Sequence, residues 1–499
     1  MLNARTHMHI ACLVALSLLF TDCKKKTSDN PTPNPNPNPT PTGDTTQVKA
    51  WITTPETSGG RLSKQNLVIR FRTRQASASN PLLEVDETQR FQAIEGLGAA
   101  VTGSSAYLIR QKMNATQRAA LLQDLFGTPT PTKGIGLTYS RMTIGASDFS
   151  LNTYSYDDMP PGQADTAMVH FSLGMDSVDV VPVLQQIYQL NPGLKLMGTP
   201  WSPPGWMKTS GSMIGGTLKP EYERALAKYF IRYIRAFQAK GIPVEAVSVQ
   251  NEPLFQPTNY PGMIMQPDQQ ARFIGRYLGP SIAAAGLQTK IFGYDHNWDR
   301  PDYPLSLLGD AAARPYIAGT AFHGYGGSPD AMSSVRGAYP DKGIYFTEQS
   351  GGDFAPFYGD FAKNLKAMAQ TYIIGNFRNW ARSVLFWNLA LDESYGPHNG
   401  GCTNCTGLVT INTADGTYRP NVEYFVMGHV SKFVRPGAVR IQSTSTAYLP
   451  SVAFQNPDGT KVLVVLNTSD ALTSFEVKSG DRYYLYSLAG GSLATLTWN

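Results

Sequence analysis

Between residues 94 and 387 the chain repeats one unit eight times: a short apolar segment, a few polar or aromatic residues, then a spacer mostly long enough for a helix. The segments are Ile94 to Ala100, Tyr139 to Ile144, Leu194 to Gly198, Val244 to Val249, Ile291 to Tyr294, Gly319 to His323, Gly343 to Thr347 and Ser383 to Trp387. A strand buried on both faces reads as a continuous apolar run, and parallel neighbours need a crossover of about a dozen residues or more. Eight such units suggest a (β/α)8 barrel. The spacers agree: Pro220 to Lys240 sets Tyr222, Leu226, Tyr229, Phe230 and Tyr233 on one helical face, and Pro267 to Leu278 is a second candidate helix.

On either side the texture changes. Short alternating segments such as Leu67-Val68-Ile69-Arg70-Phe71, Lys461 to Leu466 and Tyr483 to Leu488 mark residues 48–90 and 436–499 as β, flanking a barrel over 91–435. Ahead of them, Arg5, His7 and His9 precede the apolar run Ile10 to Phe20, which is 11 residues long. That is short of the roughly 20 needed to span a bilayer, so residues 1–23 read as an export signal. Cys23 follows Leu19-Phe20-Thr21-Asp22, which resembles a bacterial lipobox, where the cysteine receives a lipid. Asp22 stands where a small residue is usual, and simple secretion is the alternative. Residues 24–47 form a linker in which proline occupies every odd position from 31 to 41, a polyproline-like spacer.

Several chemistries are excluded by what the chain lacks. The balance is 42 Lys+Arg against 37 Asp+Glu, with no basic run longer than Lys24 to Lys26, so nucleic acid is not an expected partner. No phosphate-binding loop, metalloprotease motif or G-x-S-x-G elbow occurs, and Gly96-x-Gly98 lacks the third glycine of a dinucleotide fingerprint. No cofactor is expected. Cys402 and Cys405 lie in Gly-Gly-Cys-Thr-Asn-Cys-Thr-Gly, and with His398 they would supply three ligands where structural zinc needs four. A metal site is therefore not expected. A redox-active pair belongs at a helix start, whereas these glycines mark a loop, so a local disulfide in an oxidising compartment is the better reading.

The apolar segments run into Arg141 and Asp148, Trp201, Asn251-Glu252, Asp295-His296, His323 and Tyr325, Glu348, and Trp387-Asn388. A barrel gathers all of these around one mouth. Glu252, in Gln-Asn-Glu-Pro after the fourth segment, and Glu348, in Phe-Thr-Glu-Gln after the seventh, then face each other. Two such carboxylates can flank a bound sugar, one giving a proton to the glycosidic oxygen and the other attacking the anomeric carbon.

The blocks Arg141-Met-Thr-Ile-Gly-Ala-Ser-Asp148, Thr199-Pro-Trp201-Ser-Pro-Pro-Gly-Trp206, Asn251-Glu252-Pro253, Phe346-Thr-Glu348 and Phe386-Trp387-Asn388 resemble, in order, glycoside hydrolase family 30. That family contains glucosylceramidases and endo-β-1,6-glucanases. The resemblance spans about residues 48 to 499. It implies a β-sandwich built from both flanks, and retaining hydrolysis with Glu252 as acid/base and Glu348 as nucleophile. It further implies Asp148, Trp201, Asn251 and Trp387 around the glucosyl unit, with Arg141, His323 and Tyr325 supporting the nucleophile. Trp201 and Trp387 would offer apolar faces to sugar C–H groups. Gly96 to Tyr107 lacks the acidic residue that glucosylceramidase-type members carry just after the equivalent of Thr102. With the Cys402/Cys405 loop, this looks more like the bacterial β-1,6-glucanase branch. The expected partner is therefore a β-glucan, with glucosylceramide or exo-β-glucosidase activity as the alternative, and membrane contact only through a lipid anchor. A non-catalytic glycan-binding surface lipoprotein is the reading from another class, and retention of both glutamates argues against it.

Overall fold

The computed structural model describes residues 47–499 other than 57, 355, 356 and 358. The export signal, the lipidation reading of Cys23 and all but the last linker residue lie outside the described residues.

Eight parallel strands close into a barrel: β1 Gly96–Val101, β2 Tyr139–Thr143, β3 Lys195–Thr199, β4 Ala246–Ser248, β5 Lys290–Asn297, β6 Ile317–His323, β7 Gly343–Glu348 and β8 Ala381–Phe386. Each coincides with one of the eight apolar segments. Helices follow in turn: α1 Ala115–Phe126, α2 Val180–Leu190, α3 Glu223–Gln238, α4 Pro267–Phe273, α5 Asp302–Gly309, α6 Asp330–Ala338, α7 Phe361–Met368 and α8 Val422–Ser431. Within the barrel Tyr139, Met197, Ala246, Phe292, Ala321, Tyr345 and Leu385, one from each of seven strands, form a sealed cluster. The interior is thus a packed core and not a channel.

The helices bury the apolar faces that their spacing sets. In α3 Tyr229, Phe230, Tyr233 and Phe237 are fully buried against the barrel. Each such ring contributes about 1.5–3 kcal/mol of transfer free energy. Tyr222 stands one residue before α3, in a 3-10 turn, and is only partly buried. The segment Pro267 to Leu278 is helical throughout but widens to a π-helix over Ile274–Leu278.

The flanks join in one antiparallel-rich sheet system. Gln47–Thr53 pairs with Leu493–Trp498, and Leu82–Ala93 lies between Val439–Ser443 and Thr473–Ser479. Val48, Phe71, Leu83, Val477, Tyr484 and Trp498 belong to its separate core. This is the sandwich domain, completed by strands from both ends of the chain.

Candidate functional site

The strand ends position the site by hydrogen bonds across neighbouring loops. After β4, Asn251 N–H donates to Pro200 O at 2.9 Å and Glu252 N–H donates to Asp295 O at 3.0 Å, tying three strand ends together. Glu252 itself sits in the left-handed region, with φ 45°, a conformation kept by surrounding structure at a cost of about 1–3 kcal/mol. Glu348 closes β7, and the next residue, Gln349, accepts the Trp387 N–H at 2.8 Å. Seven strands thus point polar groups at one opening.

Beneath the opening Arg141 is completely buried on β2. Its Nη1 pairs with Glu348 Oε2, and its Nη2 donates to Asn251 Oδ1 at 2.7 Å and Asp295 Oδ2 at 3.0 Å. The guanidinium carbon also lies 5.0 Å and 5.6 Å from the rings of Trp201 and Trp387. Those indoles are stacked on each other with centroids 4.9 Å apart, and both line the pocket. Asp295 accepts from Arg141, His323, Ser248 and Thr347. Burial opposes its charge, but Arg141 and then His323 hold the carboxyl well below the usual carboxylate range.

The two glutamates sit above this layer. Tyr325 O–H donates to Glu348 Oε1 at 3.0 Å while itself accepting the Ser350 N–H at 3.0 Å. His323 Nδ1 lies 3.3 Å from Glu252 Oε1 and 3.9 Å from Glu348 Oε1. Against burial, Glu348 and Asp295 push the His323 imidazole up to about 9, so it is cationic at neutral pH. One ligand atom each of Glu252, His323 and Glu348 fall within 4.8 Å of one another. Burial would lift both carboxyls. In Glu252 the His323 hydrogen bond and nearby cationic groups outweigh it and draw the carboxyl down, whereas Glu348 stays raised by burial despite His323 and Arg141. Acids this close titrate as a pair.

A pocket of about 420 Å³ opens over them, lined by Asp148, Trp201, Asn251, Glu252, Tyr325, Glu348 and Trp387 among others. The structure therefore brings together every expected sugar-contacting residue, with Arg141 and His323 as the layer below. Cys402 and Cys405 are joined by a disulfide and form part of the pocket wall, where Cys405 packs with Trp201 and Trp387. Burial, then the charges of Glu348 and Glu252, raises Asp148 well above its ordinary value. Not singled out from the sequence were Asp295, His296, Asn297, Phe255 and Tyr260. Asp295-His296 was visible as a polar strand end, but Phe255 and Tyr260 sit in a loop whose path only the fold reveals.

With this geometry in hand, residues 94–434 match the Glycosyl hydrolase family 30 TIM-barrel domain, and residues 437–496 the Glycosyl hydrolase family 30 beta sandwich domain. An endo-1,6-beta-D-glucanase of Neurospora crassa is 36% identical over 442 residues, covering 84% of this chain and 89% of that protein. The lysosomal acid glucosylceramidase of Mus musculus is 27% identical over 441 residues, covering 84% and 83%. Among solved structures, the endo-beta1,6-glucanase BT3312 superposes with a TM-score of 0.83 at 33% identity, covering 91% of this chain and 99% of that one.

Proposed function

Since the chain belongs to glycosyl hydrolase family 30, we propose that it is a retaining endo-β-1,6-glucanase, with Glu348 as nucleophile and Glu252 as acid/base. The observation that carries the mechanism is the close approach of two unequally partnered carboxylates. An oxygen of each lies within 4.8 Å of the other, which suits the roughly 5–5.5 Å separation of double displacement better than the about 6.5–9.5 Å of an inverting pair.

The hydrogen bonds distribute the roles. Both oxygens of Glu348 accept, from Arg141 and from Tyr325, whose own oxygen is taken up by Ser350 N–H. An acid O–H there would find no acceptor. Burial raises Glu348, while in Glu252 the His323 hydrogen bond and nearby cationic groups outweigh it and draw the carboxyl down, which favours the opposite placement of the shared proton, but donors on both oxygens require charge on Glu348. Among the described residues the Glu252 carboxylate has His323 as its hydrogen-bond partner and is more open to the pocket, so its other oxygen can carry a proton toward the leaving oxygen. Glu348 then attacks the anomeric carbon as the glycosidic C–O bond breaks, and Glu252 gives its proton to the departing sugar. In the second half Glu252 takes a proton from water, which displaces the ester to Glu348. Asn251, oriented by Arg141, holds the 2-hydroxyl, Asp148 takes hydroxyls farther round the ring, and Trp201 and Trp387 cover a C–H face.

The linkage is supported by the endo-1,6-beta-D-glucanase of Neurospora crassa and by BT3312, both above 30% identity. A lower likeness, 27%, to the glucosylceramidase of Mus musculus keeps glucosylceramide as the runner-up substrate. Export, with tethering through Cys23, is supported by the apolar run and lipobox-like residues of the leader. No helix among the described residues is long and apolar enough to cross a membrane. The test is product analysis on linear β-1,6-glucan, β-1,3-glucan, xylan and glucosylceramide. A ladder of oligosaccharides from β-1,6-glucan alone is expected, and free ceramide with intact glucan would overturn the substrate.

A further inference from the structure

The end of β5 breaks the alternation that a strand imposes on its side chains. Phe292 points into the barrel interior, and Gly293 points out, where a Cβ would meet Leu307 of α5 at 2.3 Å. Regular pleating would next send Tyr294 in and Asp295 out. The reverse is found. Tyr294 packs in the outer layer on Tyr303 and Phe322, with centroids 5.0 and 5.6 Å away, and Asp295 turns inward onto Arg141. Both residues have φ 73°, and the register against β6 slips so that Ala321 pairs with Tyr294 but Phe322 with His296. Two adjacent non-glycine residues in this region are strained, and bulges of this kind re-aim side chains near active sites. The structure holds the distortion with the side chain of Gln270, whose Oε1 accepts Tyr294 N–H at 2.8 Å, and with Glu252 N–H on Asp295 O at 3.0 Å.

One product of the bulge is Asp295 in the charge network. The other is His296, which the network does not use. His296 lines the pocket beside Glu252, and its Nδ1 is buried with no hydrogen-bond partner among the described residues. Two phenyl rings share that pocket at its rim: Phe255, 47% exposed and three residues after Glu252, and Phe354, 50% exposed and six after Glu348. Asn259 and Asn297 also line it, so polar groups accompany the rings. Such interleaving suits the alternating hydroxyl and C–H surface of a sugar rather than a continuous alkyl chain.

We propose that His296 determines specificity on the leaving-group side, its imidazole hydrogen-bonding a hydroxyl of the sugar beyond the cut while Phe255 supports a C–H face of that sugar. The proposal rests on the reading of the substrate as a β-linked glucan. It assigns the strained turn of β5 a purpose: the same bulge anchors Asp295 beneath the nucleophile and brings the His296 ring to the pocket wall near Glu252. A site built to bond a hydroxyl discriminates strongly against leaving groups that lack one.

The test compares kcat/KM on a β-1,6-linked gluco-oligosaccharide with kcat/KM on an aryl β-glucoside, whose leaving group has no hydroxyls to bond. For His296→Ala the loss on the oligosaccharide is expected to exceed the loss on the aryl glucoside by about tenfold or more, with part of the difference restored in His296→Gln. Phe255→Ala, at an exposed position that folding does not depend on, should shift the same ratio by about threefold or more in the same direction. Equal losses on both substrates would make His296 merely structural and overturn the proposal. So would a Phe255→Ala variant impaired on glucosylceramide but not on the oligosaccharide, which would make the rim a lipid surface. If the wild type cleaves another β-linked disaccharide and not the β-1,6 linkage, the linkage assignment fails and the ratio is read on that disaccharide. If it cleaves no oligosaccharide at all, both readings fall.

Discussion

One guanidinium, Arg141, serves Glu348, Asn251 and Asp295 at once, and only a planar group with several N–H donors can do so. Arg141→Lys should therefore lower kcat by about 10²-fold or more even where it folds, since the lysine cannot hold Asn251 and Glu348 together. Arg141→Ala leaves two carboxylates buried without their cation and should lose about 3–5 kcal/mol of stability, read by denaturant unfolding. Glu252 and Glu348 separate by stereochemistry. Glu348→Ala with azide and a β-glucosyl fluoride should give the α-glucosyl azide, and Glu252→Ala with azide and an activated aryl β-glucoside the β-anomer. The same anomer from both variants would show the roles to be misassigned. Glu252→Gln should also lose the alkaline limb of the pH profile on good leaving groups, and persistence of that limb would exclude Glu252 as the acid. The positions of the residues proposed for this chemistry were legible because each sits where a strand stops being apolar. Asp295 was visible as a polar strand end, but its place in the charge network was not, because only the bulge of β5 turns it inward where alternation would have placed it outside.

At the level of elements, the eight strands were readable because burial on both faces leaves few polar positions before the mouth is reached. β4 is the extreme case: Ala246–Ser248 is short, and the Asn251-Glu252 pair lies beyond it in non-strand backbone stitched to Pro200 and Asp295. The loop 400–405 was legible as a disulfide but not as a wall, since nothing in its own residues says what it packs against. Gly401, at φ 68°, has Asp148 so near that a Cβ would lie 2.6 Å from the Asp148 Cβ. Gly401→Ala should displace Asp148 and raise KM with a loss of about tenfold or more in kcat/KM, alongside the about 1–3 kcal/mol of stability that a side chain at this positive φ costs. Cys402→Ser/Cys405→Ser, or reduction of the native protein, should act in the same direction. An unchanged KM in both would show that the wall does not hold the sugar.

Across the whole molecule, barrel and sandwich meet at His429 of α8, whose ring bonds Thr495 Oγ1 at 2.8 Å and Thr53 Oγ1 at 2.9 Å, one from each terminal flank. Burial lowers this imidazole to about 3, so it is neutral in the folded protein. Because an unfolded histidine titrates near 6.5, the unfolded state binds the extra proton first, and stability is full above that pH and falls as pH drops toward 3. The slope from this group is about 1.4 kcal/mol per pH unit within that window, and His429→Gln should flatten the melting-temperature profile there. The β texture of both flanks was legible in the sequence, while this junction was not, because it joins His429 to residues 66 and 376 positions away. The central claim, that the assembled molecule is a retaining β-1,6-glucanase, is tested most directly by proton NMR of the first products from linear β-1,6-glucan. New reducing ends should appear as the β-anomer on oligosaccharides and only later mutarotate. Reducing ends appearing first as the α-anomer, or no cleavage of the glucan, would contradict it.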